Sequence, residues 1–509
     1  LGVISRTSAI QYKKTPKTIR QIGQELGVDY VLEGTVRWDR PAYDGSGPSR
    51  VRITSQLIRV ADDMNIWTEQ YDRVLDRIFE VQSEIAEQVA KQLDLTLLEP
   101  ERKALQARPT RNLEAYDFYL RGKQHSPFFL DKQKQERAIE MFEKAVALDS
   151  TFAAAYAALS RVHSSMYYFV HDETAERLRK ARVAAEQALR LQPDLPEAQE
   201  GLAYYHYYRF SDYERALKLI EDIRKARPNY SPHLIGMIQR RQGKWLEALT
   251  NLEEACKLNP LDAYLMWSVG LVNCHLRRYK IADSWFEQAT ALAPENAVYK
   301  FWQVMNLVPL TGRTDKAWPI IESIPDFRGK EYFVLLLYRL EKRYQEALKR
   351  IAALSEEAFE IEWLYHQKHL AFAETYWLMK NQPLSRAHAD TSRRMLEKEI
   401  QKRSGIPRLH SALGFAYAYL GRKVDAVREG KRAVELEPVA KDADEGPEYV
   451  QHLARIYTIV GEREAAIAQL EYLMSIPSLL SASHLRLDPI WNDLREYPRF
   501  RKLLNAEQN

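Results

Sequence analysis

Leu413-Gly414-Phe415-Ala416-Tyr417-Ala418-Tyr419-Leu420-Gly421-Arg422-Lys423-Val424-Asp425-Ala426-Val427-Arg428-Glu429-Gly430-Lys431-Arg432-Ala433-Val434-Glu435-Leu436-Glu437-Pro438 is the stretch that decides the fold. Its second half carries Ala426-x3-Gly430-x2-Ala433-x4-Pro438, small residues at helical spacing followed by a residue that cannot continue a helix. The same row stands at Ala248-x3-Leu252-x2-Ala255-x4-Pro260 and, about 34 residues on, at Ala282-x3-Phe286-x2-Ala289-x4-Pro294. Turn signals precede each row: Gly243-Lys244-Trp245, Arg278-Tyr279 and Gly421-Arg422.

Weaker copies fill the rest of the chain from residue 112 onward. They are Ala138-x3-Phe142-x2-Ala145, Ala181-x3-Ala185-x2-Ala188-x4-Pro193 and Ala216-x3-Ile220-x2-Ile223-x4-Pro228. Ala317, Ile321 and Ile324 after Gly312 make another unit, as do Ala347, Ile351 and Leu354 after Tyr344. Ala466, Leu470 and Leu473 after Gly461 close the series. The stretch Ser355 to Ser404 fits less well, with longer helices expected around Ala371 and Ala387. Antiparallel helices approach closely only where side chains are small, so the ladder residues, with Gly236 or Gly414 opposite, mark the contact inside each hairpin. A single hairpin cannot bury its apolar stripe, and stacking buries them all in one continuous core.

The unit Leu413-Gly414-x2-Tyr417, Gly421, Ala426, Ala433, Pro438 resembles the tetratricopeptide repeat (TPR) family, and the resemblance covers about four fifths of the chain. It implies a mainly α fold: a right-handed superhelix of roughly ten hairpins over 112–509, preceded by a small α/β domain.

Residues 1–97 read differently, and 98–111, flanked by Pro100 and Pro109, read as a charged linker. Val3-Ile4-Ser5 suits a strand and Thr18 to Gly27 a helix, with Ile19, Ile22 and Leu26 on one face. Asp29 to Trp38, Val51 to Ile58 and Asn65 to Tyr71 are strands by composition and alternation. Pro41 to Pro48 reads as a hairpin loop, and Asp76 opens a helix bearing Ile78, Val81, Ile85, Val89 and Leu93. Val3-Ile4-Ser5-Arg6-Thr7-Ser8, Gly27-Val28-Asp29-Tyr30-Val31-Leu32-Glu33-Gly34, Gln56-Leu57-Ile58, Trp67 and Tyr71-Asp72-Arg73 resemble the TolB amino-terminal-like (FlgO-like) domain. That resemblance implies a bacterial regulator whose TPR array is appended to a kinase, a cyclase or a winged-helix domain. A strand beside Val3-Ile4-Ser5 is missing from the pattern, which leaves an open sheet edge. The chain starts without Met and reads as part of a longer or processed product.

The bulk numbers narrow the function classes. Of 509 residues, 74 are Lys or Arg and 70 Asp or Glu, a net charge of +4 that gives no electrostatic mandate for nucleic acid. No apolar run is long enough to span a membrane. The compartment is periplasmic or extracellular if a membrane helix precedes Leu1, and cytoplasmic otherwise. Cys256 and Cys274 exclude a disulfide scaffold and read as buried thiols on neighbouring helices.

Phosphate loops, H-E-x-x-H, G-x-S-x-G and CxxC pairs are all missing, so no catalytic residue, cofactor or metal is assigned. Glu362, His366 and His369 read as exposed polar residues on one helical face, and Asp442, Asp444 and Glu445 as a solvated loop. Tyr204-Tyr205-His206-Tyr207-Tyr208 is expected to be part core and part exposed. His233 and Met237 stand where a carboxylate clamp needs Lys and Asn, so that clamp is not expected.

The resemblance makes the first helix of each hairpin line a concave groove. The corresponding positions are Tyr230, His233, Arg240, Arg241, Tyr264, Trp267, His275, Tyr299, Trp302, Asn306, Tyr332 and Arg339. Aromatic and Arg side chains are the types that anchor peptides. The leading expectation is therefore a non-catalytic scaffold or sensor portion that captures a protein or peptide segment in this groove. The alternative is a structural subunit that self-associates through the sheet edge and the solenoid ends.

Overall fold

The structure, a computed structural model, describes residues 3–4, 6–13, 15–39, 50–74, 78–95, 102, 108–127, 129, 131–210, 212–227, 230, 232–324 and 329–505. Ser5, the Pro41 to Pro48 loop, Asp76, Pro100 and Pro228 lie outside the described residues, as does most of the 98–111 linker.

The amino-terminal part begins with a short helix, Arg6–Ala9, and a 3-10 turn, Ile10–Tyr12. The helix Ile19–Leu26 follows, with a capping box at Thr18 and Gln21 and a left-handed Gly27 (φ 64°) at its end. Three strands, β1 (Tyr30–Asp39), β2 (Arg50–Arg59) and β3 (Met64–Val74), form an antiparallel sheet in chain order. The register aligns Leu32 with Leu57 and Trp67, and Val36 with Ile53 and Tyr71. The helix Ile78–Gln92 covers the β2 and β3 part of that face through Val81 and Ile85. The strand expected at Val3-Ile4-Ser5 does not form: Val3 and Ile4 belong to no strand. This segment docks on the solenoid instead, where the buried Ser8 hydroxyl accepts from the Leu261 amide at 3.0 Å.

Ten hairpins follow among the described residues. The first five pair Leu113–His125 with Lys132–Leu148, Ala153–Tyr168 with Ala175–Leu191, Pro196–Phe210 with Tyr213–Ala226, Pro232–Arg241 with Trp245–Leu258, and Ala263–His275 with Tyr279–Leu292. The next five pair Ala297–Thr311 with Ala317–Ser323, Lys330–Leu340 with Tyr344–Ala353, Lys368–Leu378 with Gln382–Lys402, Pro407–Leu420 with Lys423–Leu436, and Gly446–Ile459 with Arg463–Ser475. A cap of Ala482–Leu487, a 3-10 turn Pro489–Leu494 and Pro498–Leu504 ends the array. The chain is thus mainly α, a TPR-type solenoid behind a small sheet.

The ladder residues are the core. Ala248, Leu252, Ala282, Phe286, Ala289 and Ala426 are wholly buried. Within the stretch read as irregular helix lies a β-hairpin, β4 (Ala358–Ile361) and β5 (Leu364–Gln367). His366 therefore sits buried on a strand and Glu362 in the tight turn, while His369 lies on the next helix with its Nδ1 2.9 Å from that of His388. These three residues do not share an exposed helical face, because Phe359, Ile361 and Leu364 follow strand alternation into the core.

A solenoid normally makes contacts only between neighbouring units. Here the last hairpin, the segment before it and the cap fold back onto hairpins two to seven. The Ala443 amide donates to the Arg241 carbonyl at 2.8 Å, and the Ser478 amide to the His275 carbonyl at 3.1 Å. Arg277 donates to the Leu480 and Leu473 carbonyls at 3.1 and 2.8 Å. Arg403 reaches Glu173 at 3.0 Å. The inner surface of the superhelix is consequently closed over.

Gly414 tests the ladder geometry. A Cβ there would lie 2.7 Å from Ile456 Cδ1 and 3.2 Å from the Ala426 carbonyl oxygen. Gly414→Ala gains about 1 kcal/mol of helix propensity, yet overpacking costs about 1–3 kcal/mol. The expected net result is a lower denaturation midpoint in urea; an increase would mean the hairpin contact is looser than described.

Candidate functional site

Closure leaves a central cavity of about 200 Å³. The inner helices of hairpins two to seven and ten line it, together with the loops inside the first two hairpins, the β4–β5 turn and the cap. Of the twelve groove positions read from sequence, Arg240, Arg241, Tyr264, Trp267, His275, Trp302, Tyr332 and Arg339 do line this space. Tyr230, His233, Tyr299 and Asn306 do not. The Tyr230 hydroxyl donates to Glu200 at 3.0 Å, and His233 packs edge-on against Tyr264. Tyr299 is core, and the Asn306 amide donates to the Tyr279 carbonyl at 2.9 Å. The open groove of the sequence reading is thus an enclosed chamber.

Its wall is aromatic over much of its area. Phe129 stacks on Phe169 with ring centres 4.6 Å apart, Tyr168 on Tyr208 at 4.7 Å, and Tyr264 on Trp267 at 5.4 Å. Trp302 meets Trp267 edge-on at 6.5 Å. In the tyrosine run, Tyr204, Tyr205, His206 and Tyr207 are buried and Tyr208 is half-buried against the chamber, so no residue of it is free surface.

Charge enters from the closing segment. Arg240 and Arg241 are each 6 % exposed and Asp442 2 %. Arg241 Nη1 lies 2.5 Å from Asp442 and 2.9 Å from Glu445, and its Nε donates to the Tyr207 hydroxyl at 3.0 Å. Arg240 pairs with Asp444 at 3.1 Å, and His275 Nε2 lies 3.2 Å from the same carboxylate. The loop expected to be solvated is therefore buried, since two guanidinium groups from the fourth hairpin need counter-charges. Burial pushes the Asp444 carboxyl up, but Arg240, Arg241 and His275 outweigh it and hold the group below its usual range. Across the chamber, Arg339 joins Glu374 at 2.8 Å and Asp488 at 3.0 Å, and Arg455 also binds Glu374.

Two carboxylates are left over. Glu448 is 7 % exposed and lines the chamber without a hydrogen bond or ion pair to its side chain, and Glu362 has no ion pair. Burial pushes each of them up to about 7. Five lining acids (Glu362, Asp444, Glu445, Glu448, Asp488) stand beside four lining guanidinium groups (Arg240, Arg241, Arg339, Arg455), and Asp442 and Glu374 pair with those guanidinium groups from behind the wall. The indole Nε1 of Trp267 is also buried without an acceptor. Sequence reasoning missed Glu448, His452 and Arg455, although their spacing of four and three makes a polar stripe on the apolar helix Gly446–Ile459. Glu362 and Trp363 were hidden by reading the β-hairpin as helix. Cys256 and Cys274 are buried free thiols in separate core clusters, both pushed up to about 12 by burial. Among the described residues no His, Cys, Asp and Glu group is arranged to hold a metal ion.

A second, outer groove of about 990 Å³ adjoins the chamber. The two share Phe129, His171, Val298 and Gly329, so they adjoin across this wall. Lys132, Lys330 and Arg350 stand beside Asp131, Glu331 and Glu356 along it.

No protein-family model matches the chain. A Rhizobium meliloti (strain 1021) protein named "Putative adenylate cyclase 3" is 32% identical over 206 residues. The match covers 40% of this chain and spans a third (33%) of that protein's length. Among solved structures, a human IFIT1 dimer with PPP-AAAA is 18% identical, with a TM-score of 0.39 over 70% of this chain and 79% of that one. YrrB, a TPR protein with an unusual peptide-binding site, is 19% identical, with a TM-score of 0.25 over 36% and 90%. The Cut9–Hcn1 hetero-tetramer of APC/C is 12% identical, with a TM-score of 0.35 over 84% and 81%. These likenesses are of helical-repeat architecture and carry nothing about ligand.

Two measurements follow from the charges. Arg241→Ala leaves Asp442 and Glu445 buried without their partner and should cost about 3–5 kcal/mol in urea unfolding; a loss under about 1 kcal/mol would mean that closure does not rest on this residue. Glu448 titrates near 7 in the folded chain against 4.5 for a free Glu. Folded-state burial is thus without cost below about pH 4.5 and opposes folding fully above about pH 7, by ~3 kcal/mol. Glu448→Gln should raise the melting temperature at pH 8 and leave it nearly unchanged at pH 4.5.

Proposed function

We propose that this chain is a non-catalytic recognition portion of a larger bacterial regulatory protein. In this reading it captures a protein or peptide segment along the outer groove and admits one side chain to the central chamber. The observation that carries the reading is the pair of adjoining voids, which share Phe129, His171, Val298 and Gly329 as a common wall. An extended segment needs an open track for its backbone and a pocket for an anchoring side chain. The groove offers the first and the aromatic chamber the second. At 200 Å³ the chamber is smaller than the roughly 300–1,000 Å³ of drug-sized ligand sites. The partial likeness to a protein named for cyclase activity supports a regulatory setting. The excess of carboxylates in the chamber argues against a polyphosphate or nucleic-acid ligand there.

Selection from a displayed random peptide library, then fluorescence anisotropy on the enriched peptides, tests the reading. Phe129→Ala and Trp302→Ala should each weaken binding by at least tenfold. Failure to enrich any peptide, or affinities indifferent to both substitutions, would sink it.

One observation favours self-association as a second reading. Along β1, an edge strand, Leu32 is 49 % and Val36 51 % exposed, on the β1 part of the sheet face whose β2 and β3 part the helix Ile78–Gln92 covers. Light scattering across a concentration series should then show dimers or larger species that Leu32→Lys with Val36→Lys returns to monomer; a monomer at every concentration removes this reading.

A further inference from the structure

We propose that the central chamber is a receptor site for an organic cation, an ammonium or guanidinium group held by aromatic faces and neutralised by Glu448 and Glu362. The inference deepens the capture reading by naming the chemistry of the group admitted, and it rests on that reading only for how the cation arrives.

The wall, the charge balance and the setting of one carboxylate point to this ligand class. The first is the wall: rings of Phe169, Tyr208, Tyr264, Trp267, Trp302 and Trp363 surround one small space. Ring faces carry the negative end of the aromatic quadrupole, and several of them around one void attract a cation more than a neutral group of the same shape. The second is charge balance. Every guanidinium group at the chamber is already paired, Arg240 with Asp444, Arg241 with Asp442 and Glu445, Arg339 with Glu374 and Asp488, and Arg455 with Glu374. Glu448 and Glu362 remain without an ion pair of their own: Arg455 acts on Glu448, and Arg241 and Arg408 on Glu362, only from a distance, each of them already paired with another carboxylate. The third is the state of Glu448 itself, a side chain more than nine-tenths buried that lines the void and has no partner. A buried carboxylate without a partner is costly and is normally found paired. Its retention here is accounted for if the partner is supplied from outside.

The ligand class excludes others. A carboxylate or phosphate would face an acidic surplus, and an uncharged apolar group would leave Glu448 unpaired. The void suits one compact cationic group: a lysine or arginine side chain of a captured segment, or a small free amine. These two sources share the chemistry and differ in what they are attached to.

Isothermal titration calorimetry on the full chain separates them. In the first arm, choline, n-butylamine and n-butylguanidine are titrated against 3,3-dimethylbutan-1-ol, the uncharged counterpart of choline. In the second, an end-capped peptide pool with one fixed lysine is titrated against the same pool with norleucine. At least one cationic probe should saturate at one per chain. Its neutral counterpart should bind at least tenfold more weakly. Glu448→Gln with Glu362→Gln should weaken the cation at least tenfold while far-ultraviolet circular dichroism is unchanged and the melting temperature is not lowered. Glu448→Asp keeps the charge and should retain more affinity than the Gln variant. Saturation by a free amine without any by the lysine pool upholds the cation site and overturns segment capture. Equal binding of the lysine and norleucine pools upholds capture and overturns the cation site. The cation site is also overturned if no cationic probe saturates, or if the double Gln variant binds as tightly as the native chain.

Discussion

A buried guanidinium group must be neutralised where it lies, and Arg241 is the place where this constraint shapes the molecule. It sits at the end of an inner helix in the fourth hairpin, 6 % exposed, stacked near Tyr168 and Tyr207. Its own neighbourhood in the chain supplies no carboxylate to meet it. Asp442 and Glu445 do so from about 200 residues further on, and the Ala443 amide bonds to the Arg241 carbonyl in the same contact. An open superhelix would leave these groups either solvated or unpaired. The folded-back array satisfies both sides at once, and the desolvation cost of charges is answered by several hydrogen bonds rather than one.

Closure changes what a repeat array can do. In an open solenoid the inner helices face solvent and offer a long, shallow track. Here the last hairpin and the cap lie across that track, joined to hairpins five to seven by Arg277, Ser478, Ser483 and the Arg339–Asp488 pair. The same aromatic residues that would have lined a groove become the wall of a small chamber. Their rings stack on one another rather than on a bound peptide, and a low-dielectric interior makes every unbalanced charge in it count for more. The carboxylates without an ion pair are therefore the chemically informative part of the interior.

The helical array was legible because its signal is local and repeated. Ala248, Leu252 and Ala255 had to be small or apolar for the two helices of one hairpin to touch, and they are buried as that demands. The capping box at Thr18 and the stop at Gly27 were equally readable, since both act within one turn of the chain. Two misreadings have a common cause. Val3-Ile4-Ser5 looks like a strand and Glu362 to His369 like a helical face, because short apolar runs do not distinguish the two without knowing their neighbours. In the folded chain, the segment around Ser8 is held by the Leu261 amide, and β4 by its pairing with β5.

The amino-acid sequence by itself determined the hairpins and their order, because periodicity and small-residue spacing act over a few turns. Only the tertiary structure decided that this inward face is a closed chamber and not a groove. That outcome depends on Asp442, Asp444 and Glu445 meeting Arg240 and Arg241, a pairing between distant segments that no local pattern encodes. It also decided which charges are spent on closure and which two, Glu448 and Glu362, remain, since a carboxylate's partner is set by distance in space and not by position along the chain.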